Sequence, residues 1–273
     1  MKIVRLVMQK VILVFMLFSL LACGSSSDNE KQIVATSSVK QTTQTSQEKL
    51  PPPIPINQYL ASYKVALIGN SHSYGILETL RPVLEHYSGN SNVEVRALAF
   101  GYTDELIKDS KLIDELNSGQ WSHLIIQGQK YSQSGNYVYS TNATEQFISI
   151  AKSLNIMPIL FPEHPQKGDP LEGERVYELH KSIAQNQPSC VAPIGLVWNK
   201  AIAKLGSQYF YSSDGNHAAA YGFMSTSLTL AQIITGEIVD SDEQQIINSV
   251  PSDVQAELAR IVSQTLAENA PCN

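Results

Sequence analysis

Val65-Ala66-Leu67-Ile68, followed at once by Gly69-Asn70-Ser71-His72-Ser73, is the stretch on which the fold turns. Four apolar residues read as a buried strand, and the segment after Ser73 carries apolar residues at helical spacing. The glycine between them marks a tight strand-to-helix turn. A serine in such a turn has its hydroxyl at the sheet edge and its N–H among the unpaired donors of a helix start. Roughly 140 residues downstream stands Asp214-Gly215-Asn216-His217. On one helical turn a carboxylate and an imidazole three residues apart share a face. A hydroxyl, an imidazole and a carboxylate are the nucleophile, general base and orienting acid of serine-type acyl transfer. Ser71, His217 and Asp214 are therefore the candidate catalytic residues.

Outward from that turn, apolar runs alternate with amphipathic stretches. Strands are expected at 64–68, 93–99, 123–127, 157–161 and 191–194. Helices are expected at 73–87, 103–117, 142–154, 172–187, 196–205, 218–235 and 252–266. Strands separated by helices imply a parallel sheet with right-handed crossovers and helices on both faces. Ligands in such folds bind beyond the carboxyl ends of the strands, where Ser71 and His217 both fall. Of the other histidines, His72 and the Glu163-His164 pair belong to the same rim, whereas His86 and His180 are read as surface residues of helices.

These blocks resemble the SGNH/GDSL hydrolase family, in the branch whose first block reads Gly-Asn-Ser. The resemblance runs from Lys64 to about Leu230 and includes the Asp-x-x-His block at Asp214–His217. Ala192-Pro193-Ile194-Gly195 with Trp198 also looks like that branch. It implies a three-layer α/β/α fold with about five parallel strands, flavodoxin-like, and a Ser71-His217-Asp214 mechanism. It implies an oxyanion hole of the Ser71 and Gly101 N–H groups plus a side-chain amide. The third block departs from the family, with Gln127-Gly128-Gln129-Lys130 in place of Gly-x-Asn-Asp. A glutamine amide offers the same donor on a longer arm, so Gln129, or else Gln127, is expected to complete the hole.

The N-terminus reads as a processing signal. Lys2, Arg5 and Lys10 precede an apolar stretch too short to span a bilayer, and Leu20-Leu21-Ala22-Cys23 resembles a lipobox. Residues 1–22 are expected to be a lipoprotein signal, Cys23 the lipidated residue, and 23–58 a polar, proline-ended tether. The folded domain is then 59–273. Loss of 1–22 moves the formal charge from −6 to about −9. No basic stripe is present, so nucleic acid is not an expected partner.

An exported chain sits in an oxidising space, which suggests a Cys190–Cys272 disulfide. No Cys/His spacing suits a metal, and the chemistry needs no cofactor. The sequence thus reads as a monomeric, lipid-anchored esterase of a bacterial cell envelope, on a periplasmic or outer-membrane face. Its expected substrate is a small-molecule or carbohydrate ester, for which the tyrosines of residues 130–140 offer stacking surfaces. A lipid esterase or lysophospholipase, and a non-catalytic binding lipoprotein, are the alternatives.

Overall fold

The computed structural model describes residues 51–239 and 245–272. The lipoprotein signal, Cys23 and most of the tether lie outside the described residues. Five strands form one sheet: β1 (Tyr63–Gly69), β2 (Val93–Phe100), β3 (His123–Ile126), β4 (Met157–Leu160) and β5 (Cys190–Val191). Their order is β2-β1-β3-β4-β5, with every pair parallel. The helices are α1 (Ile76–Ser88), α2 (Thr103–Leu106), α3 (Ser110–Ser118), α4 (Asn142–Ser153), α5 (Pro170–Asn186), α6 (Ile194–Leu205), α7 (Ala220–Thr235) and α8 (Ser252–Glu268).

The pleat of β1 divides the core into two. Successive strand residues face opposite sides of a sheet. Val65 and Leu67 join one apolar cluster with Leu80 and Leu84 of α1, Trp198 of α6, Leu228 of α7 and Val262 of α8. Ala66 and Ile68 join the other, with Leu116 of α3, Phe147 and Ile148 of α4 and Ile183 of α5. A strand buried on both faces is apolar throughout, which is why 65–68 reads as a continuous run. The result is the three-layer α/β/α arrangement that the sequence implies.

Three expectations are corrected. The helix read at 103–117 is two helices, because the Asp109 side chain accepts from Lys111 and Leu112 N–H and caps a new start. The last strand is two residues long, since Pro193 cannot donate to a ladder and instead opens α6. The proline-ended tether is docked at its far end: Ile54 packs against the first core, and Asn57 donates to Ser122 O at 2.7 Å and Asn155 O at 2.9 Å. Gln58 donates to Ile233 O at 2.9 Å, so the packed chain includes residues 54, 57 and 58 of the expected tether.

Cys190 and Cys272 form a disulfide across 82 residues of sequence. Val191 N–H donates to Pro271 O at 2.7 Å, so the C-terminal segment covers the sheet edge that β5 exposes. Chain-entropy reasoning assigns about 4 kcal/mol to a loop of this length. Replacing both cysteines by serine is expected to lower the thermal midpoint by about 10 °C. A midpoint unchanged in calorimetry would show that the edge is held by other contacts.

Candidate active site

β1 ends at Gly69 and delivers Ser71 to the first position of a 3-10 turn, Ser71–Ser73. Asn70 caps that turn: its Oδ1 accepts from His72 N–H at 2.9 Å, and its carbonyl accepts from Ser73 Oγ at 2.8 Å. A Cβ at position 69 would sit 2.5 Å from Gln127 Oε1 and 2.6 Å from Ser73 Oγ, so only glycine lets the turn approach β3 this closely. Ser71 itself is solvent-exposed.

Asp214 and His217 lie on a loop, not on the helical turn that their spacing suggested. Tyr211 and Ala218 form an antiparallel bridge at its base, Ser212 N–H donates to His217 O, and Gly215 takes φ +71° at its tip. Asp214 Oδ1 accepts from Ser212 Oγ (2.6 Å), Asn216 N–H (2.8 Å) and His217 N–H (3.0 Å). Asp214 Oδ2 faces His217 Nδ1 at 2.6 Å. The Ser212 hydroxyl, and then His217, hold the Asp214 carboxyl well below the usual carboxylate range. A carboxylate only accepts, so Nδ1 carries the proton and Nε2 is left as an acceptor. Ser71 Oγ lies 2.9 Å from that Nε2.

A second set of polar groups lies beside this one. His72 is buried and stacks on His217, with ring centroids 4.7 Å apart and planes at 18°. Its Nε2 is 2.9 Å from Glu163 Oε1. Glu163 Oε2 accepts from Gln127 Nε2 at 3.1 Å and Asn70 Nδ2 at 3.4 Å. Burial would raise the Glu163 carboxyl, but His72 and its other hydrogen bonds outweigh it and hold the group below its ordinary value. His164 stacks on Trp198 at 4.0 Å and donates from Nε2 to Asn216 O at 2.9 Å, bracing the His217 loop. Burial pushes His164 down to about 4, which keeps it neutral.

The expected oxyanion donors are not available as expected, Ser71 excepted. Gly101 N–H donates to Gly69 O at 2.6 Å, as part of the β1–β2 pairing. The Gln127 oxygen accepts the Asn70 N–H and its NH2 is turned to Glu163, so it reaches into the sheet. Gln129 Nε2 donates to Lys130 O and Ser140 O, while its oxygen accepts from Thr144 Oγ1. Among the described residues, Ser71 N–H donates to no protein acceptor. His180, read as a surface residue, is buried with Nδ1 on Val176 O.

A cleft of about 910 Å³ opens beside Ser71, lined by Asn70, His72, Glu163, Asn216 and Tyr102 and by residues of the 130–140 loop. Gln129 grips both ends of that loop, and Tyr131 donates to Glu172 Oε1 at 3.0 Å. Tyr137 and Tyr139 remain exposed. Lys130 sits over the Tyr102 ring with its charge met by Asp104 (2.9 Å) and Glu105 (3.2 Å). No group of three or more His, Cys, Asp or Glu able to hold a metal occurs among the described residues.

No protein-family model matches the sequence, and no curated protein is significantly similar to it. Solved structures do resemble the fold. One from Slackia heliotrinireducens, provisionally named an SGNH hydrolase, is 16% identical with a TM-score of 0.50, covering 63% of this chain and 99% of its own. A DUF4886 family protein from Bacteroides uniformis is 11% identical with a TM-score of 0.60, covering 78% and 97%. An acetyl-xylooligosaccharide esterase variant from Geobacillus is 14% identical with a TM-score of 0.53, covering 69% and 100%. The fold is that of the SGNH hydrolases.

Gln129→Leu keeps the volume and removes both grips on the loop. Two carbonyls then lose their donors, at about 1–3 kcal/mol each. Chymotrypsin is expected to cut the variant after Tyr137 or Tyr139 at least about tenfold faster than the wild type. Equal cleavage rates, followed by mass spectrometry, would show that Gln129 does not anchor the loop.

Proposed function

We propose that this chain is a serine esterase of the cell envelope, acting on short acyl groups carried by carbohydrate and held to a membrane through a lipid on Cys23. The observation that carries the reading is the unbroken line Asp214–His217–Ser71, with links of 2.6 and 2.9 Å. Its polarity suits proton abstraction: the carboxylate fixes the proton on Nδ1 and leaves Nε2 to receive one. Ser71 Oγ attacks the ester carbonyl, forming an O–C bond, while its proton passes to His217 Nε2. The imidazolium is held against Asp214. The carbonyl oxygen becomes an oxyanion beside the free Ser71 N–H. Collapse breaks the ester C–O bond, and His217 returns the proton to the leaving alcohol. Water repeats the sequence on the acyl-enzyme and restores Ser71.

Two features support a carbohydrate carrier. The cleft is polar and rimmed by tyrosines, the surface on which sugar rings stack. A structural neighbour is named an acetyl-xylooligosaccharide esterase. A phospholipid fits less well. Its phosphate would meet Glu163, and the one lysine of the cleft is already matched by two carboxylates.

A second reading, a binding protein without turnover, draws on the engaged N–H of Gly101 and the two engaged glutamines. Turnover separates them. With p-nitrophenyl acetate and an acetylated xylooligosaccharide, wild type is expected to release acetate. Ser71→Ala is expected to fold normally and release none. Asp214→Asn should retain KM and lose about 10⁴-fold in kcat by favouring the wrong imidazole tautomer. Acetate release by Ser71→Ala at the wild-type rate would remove Ser71 from the mechanism, and no release by the wild type would leave the binding reading.

A further inference from the structure

We infer that Glu163 is a positioning residue of the hydrolytic site, clamping the nucleophile turn from both sides of Ser71. The inference rests on the reading of Ser71 as nucleophile. Its basis is the count of donors that meet the Glu163 carboxylate, closer to His72 Nε2 (2.9 Å) than the Asn216 amide is (3.4 Å). Asn70 Oδ1 already accepts the His72 N–H, so the Asn70 amide must present its NH2 to Glu163. Gln127 Oε1 already accepts the Asn70 N–H, so that amide too must present its NH2. His72 Nε2, 2.9 Å from a group that only accepts, must carry its proton. Three N–H groups therefore converge on the two Glu163 oxygens.

A carboxylate alone accepts on both of its oxygens. The isosteric amide offers one acceptor and one NH2, so it either sets its NH2 against those of Asn70 and Gln127, or turns it to His72 Nε2 and drives the imidazole proton onto Nδ1, a buried nitrogen with no partner. Asn70 and His72 flank Ser71 in the chain, and Glu163 holds both, while among the described residues it bonds neither Ser71 nor His217. The same contact seats the His72 ring against His217 at 4.7 Å. Losing the clamp thus loosens the nucleophile and the surface behind its base together. The carboxyl's lowered pKa agrees with a group kept ionised at its post.

The test is Glu163→Gln, read by steady-state kinetics on p-nitrophenyl acetate and by the rate at which a fluorophosphonate labels Ser71. A misplacement of the order of 1 Å costs about 100-fold in rate, so kcat and labelling are expected to fall about 30- to 100-fold with KM held within about threefold. Adding Gln127→Glu restores two of the three contacts, leaving only the Asn70 NH2 without its acceptor. The carboxylate introduced at position 127 accepts from Asn70 N–H and from the new amide, whose oxygen accepts from His72. This double variant is expected to recover to within about tenfold of wild type, a coupling that a loss of general stability would not show.

Should Glu163→Gln fail to fold, His72→Phe keeps the stacked ring and removes one donor, and its kcat is expected to fall about tenfold. A Glu163→Gln protein labelled and turning over at wild-type rates, or a His72→Phe protein with unchanged kcat, overturns the inference. A wild type that is neither labelled nor active overturns the esterase reading instead.

Discussion

The hydrogen bond from Asn70 N–H to the Gln127 side-chain oxygen governs how β1 ends. A parallel ladder continues as long as each N–H finds a neighbouring carbonyl. Ile68 O still accepts from Gln127 N–H and Gly69 O from Gly101 N–H, but the next donor along β1 is taken by a side chain. The chain is thereby released from the sheet at residue 70 without leaving a buried donor unpaired, a condition that any strand end must meet. Gly69 makes this possible, because any Cβ there would collide with the same amide. The 3-10 turn, the exposure of Ser71 and the burial of His72 follow from that single departure.

The site is built from accepting groups on one side and donating groups on the other. Asp214 collects four hydrogen bonds while half exposed, so its ionisation costs little solvation. Glu163 collects three with its side chain only 12% exposed, where an unmatched charge would be expensive. The neighbouring His164 is neutral by burial and acts as a donor to a carbonyl. The two His–carboxylate pairs therefore differ in kind. One is open to solvent, and the other is buried beside it.

Strands and helices were legible because burial on both faces of a parallel sheet writes apolar runs, and helices write their 3.6-residue period. Ser71, His217 and Asp214 were legible as residue types, although the Asp214–His217 pair sits on a bridged loop stabilised by side-chain acceptance and not on a helix. The uses of Gln127 and Gln129 were not legible. An amide has both a donor and an acceptor end, and which end faces the rim depends on groups 57 and 11 residues distant in sequence. Gly101 failed for the same reason: its N–H could meet a ligand or the ladder, and register decides. Glu163 as a partner of Asn70, His72 and Gln127 was hidden because the four residues come from three segments. The one available signal was that Glu163-His164 ends a strand on the rim where Ser71 lies.

The sheet's far edge and the His217 loop belong to one continuous packing path. β5 has only two residues, so the disulfide at Cys190 and the bond from Val191 N–H to Pro271 O supply what a longer ladder would have supplied. Directly after β5, Pro193 opens α6, and α6 carries Trp198, fully buried and bonded through Nε1 to Thr226 of α7 at 3.1 Å. Trp198 is the flat surface on which His164 lies, and His164 holds Asn216 O. The loop bearing His217 thus rests on a ring whose position is set by the shortest strand of the sheet. A short edge strand tolerates little displacement before its hydrogen bonds are lost, and closing it covalently fixes the start of α6. The disulfide's place in the fold is therefore as much a matter of where Trp198 stands as of how firmly the C-terminus is held.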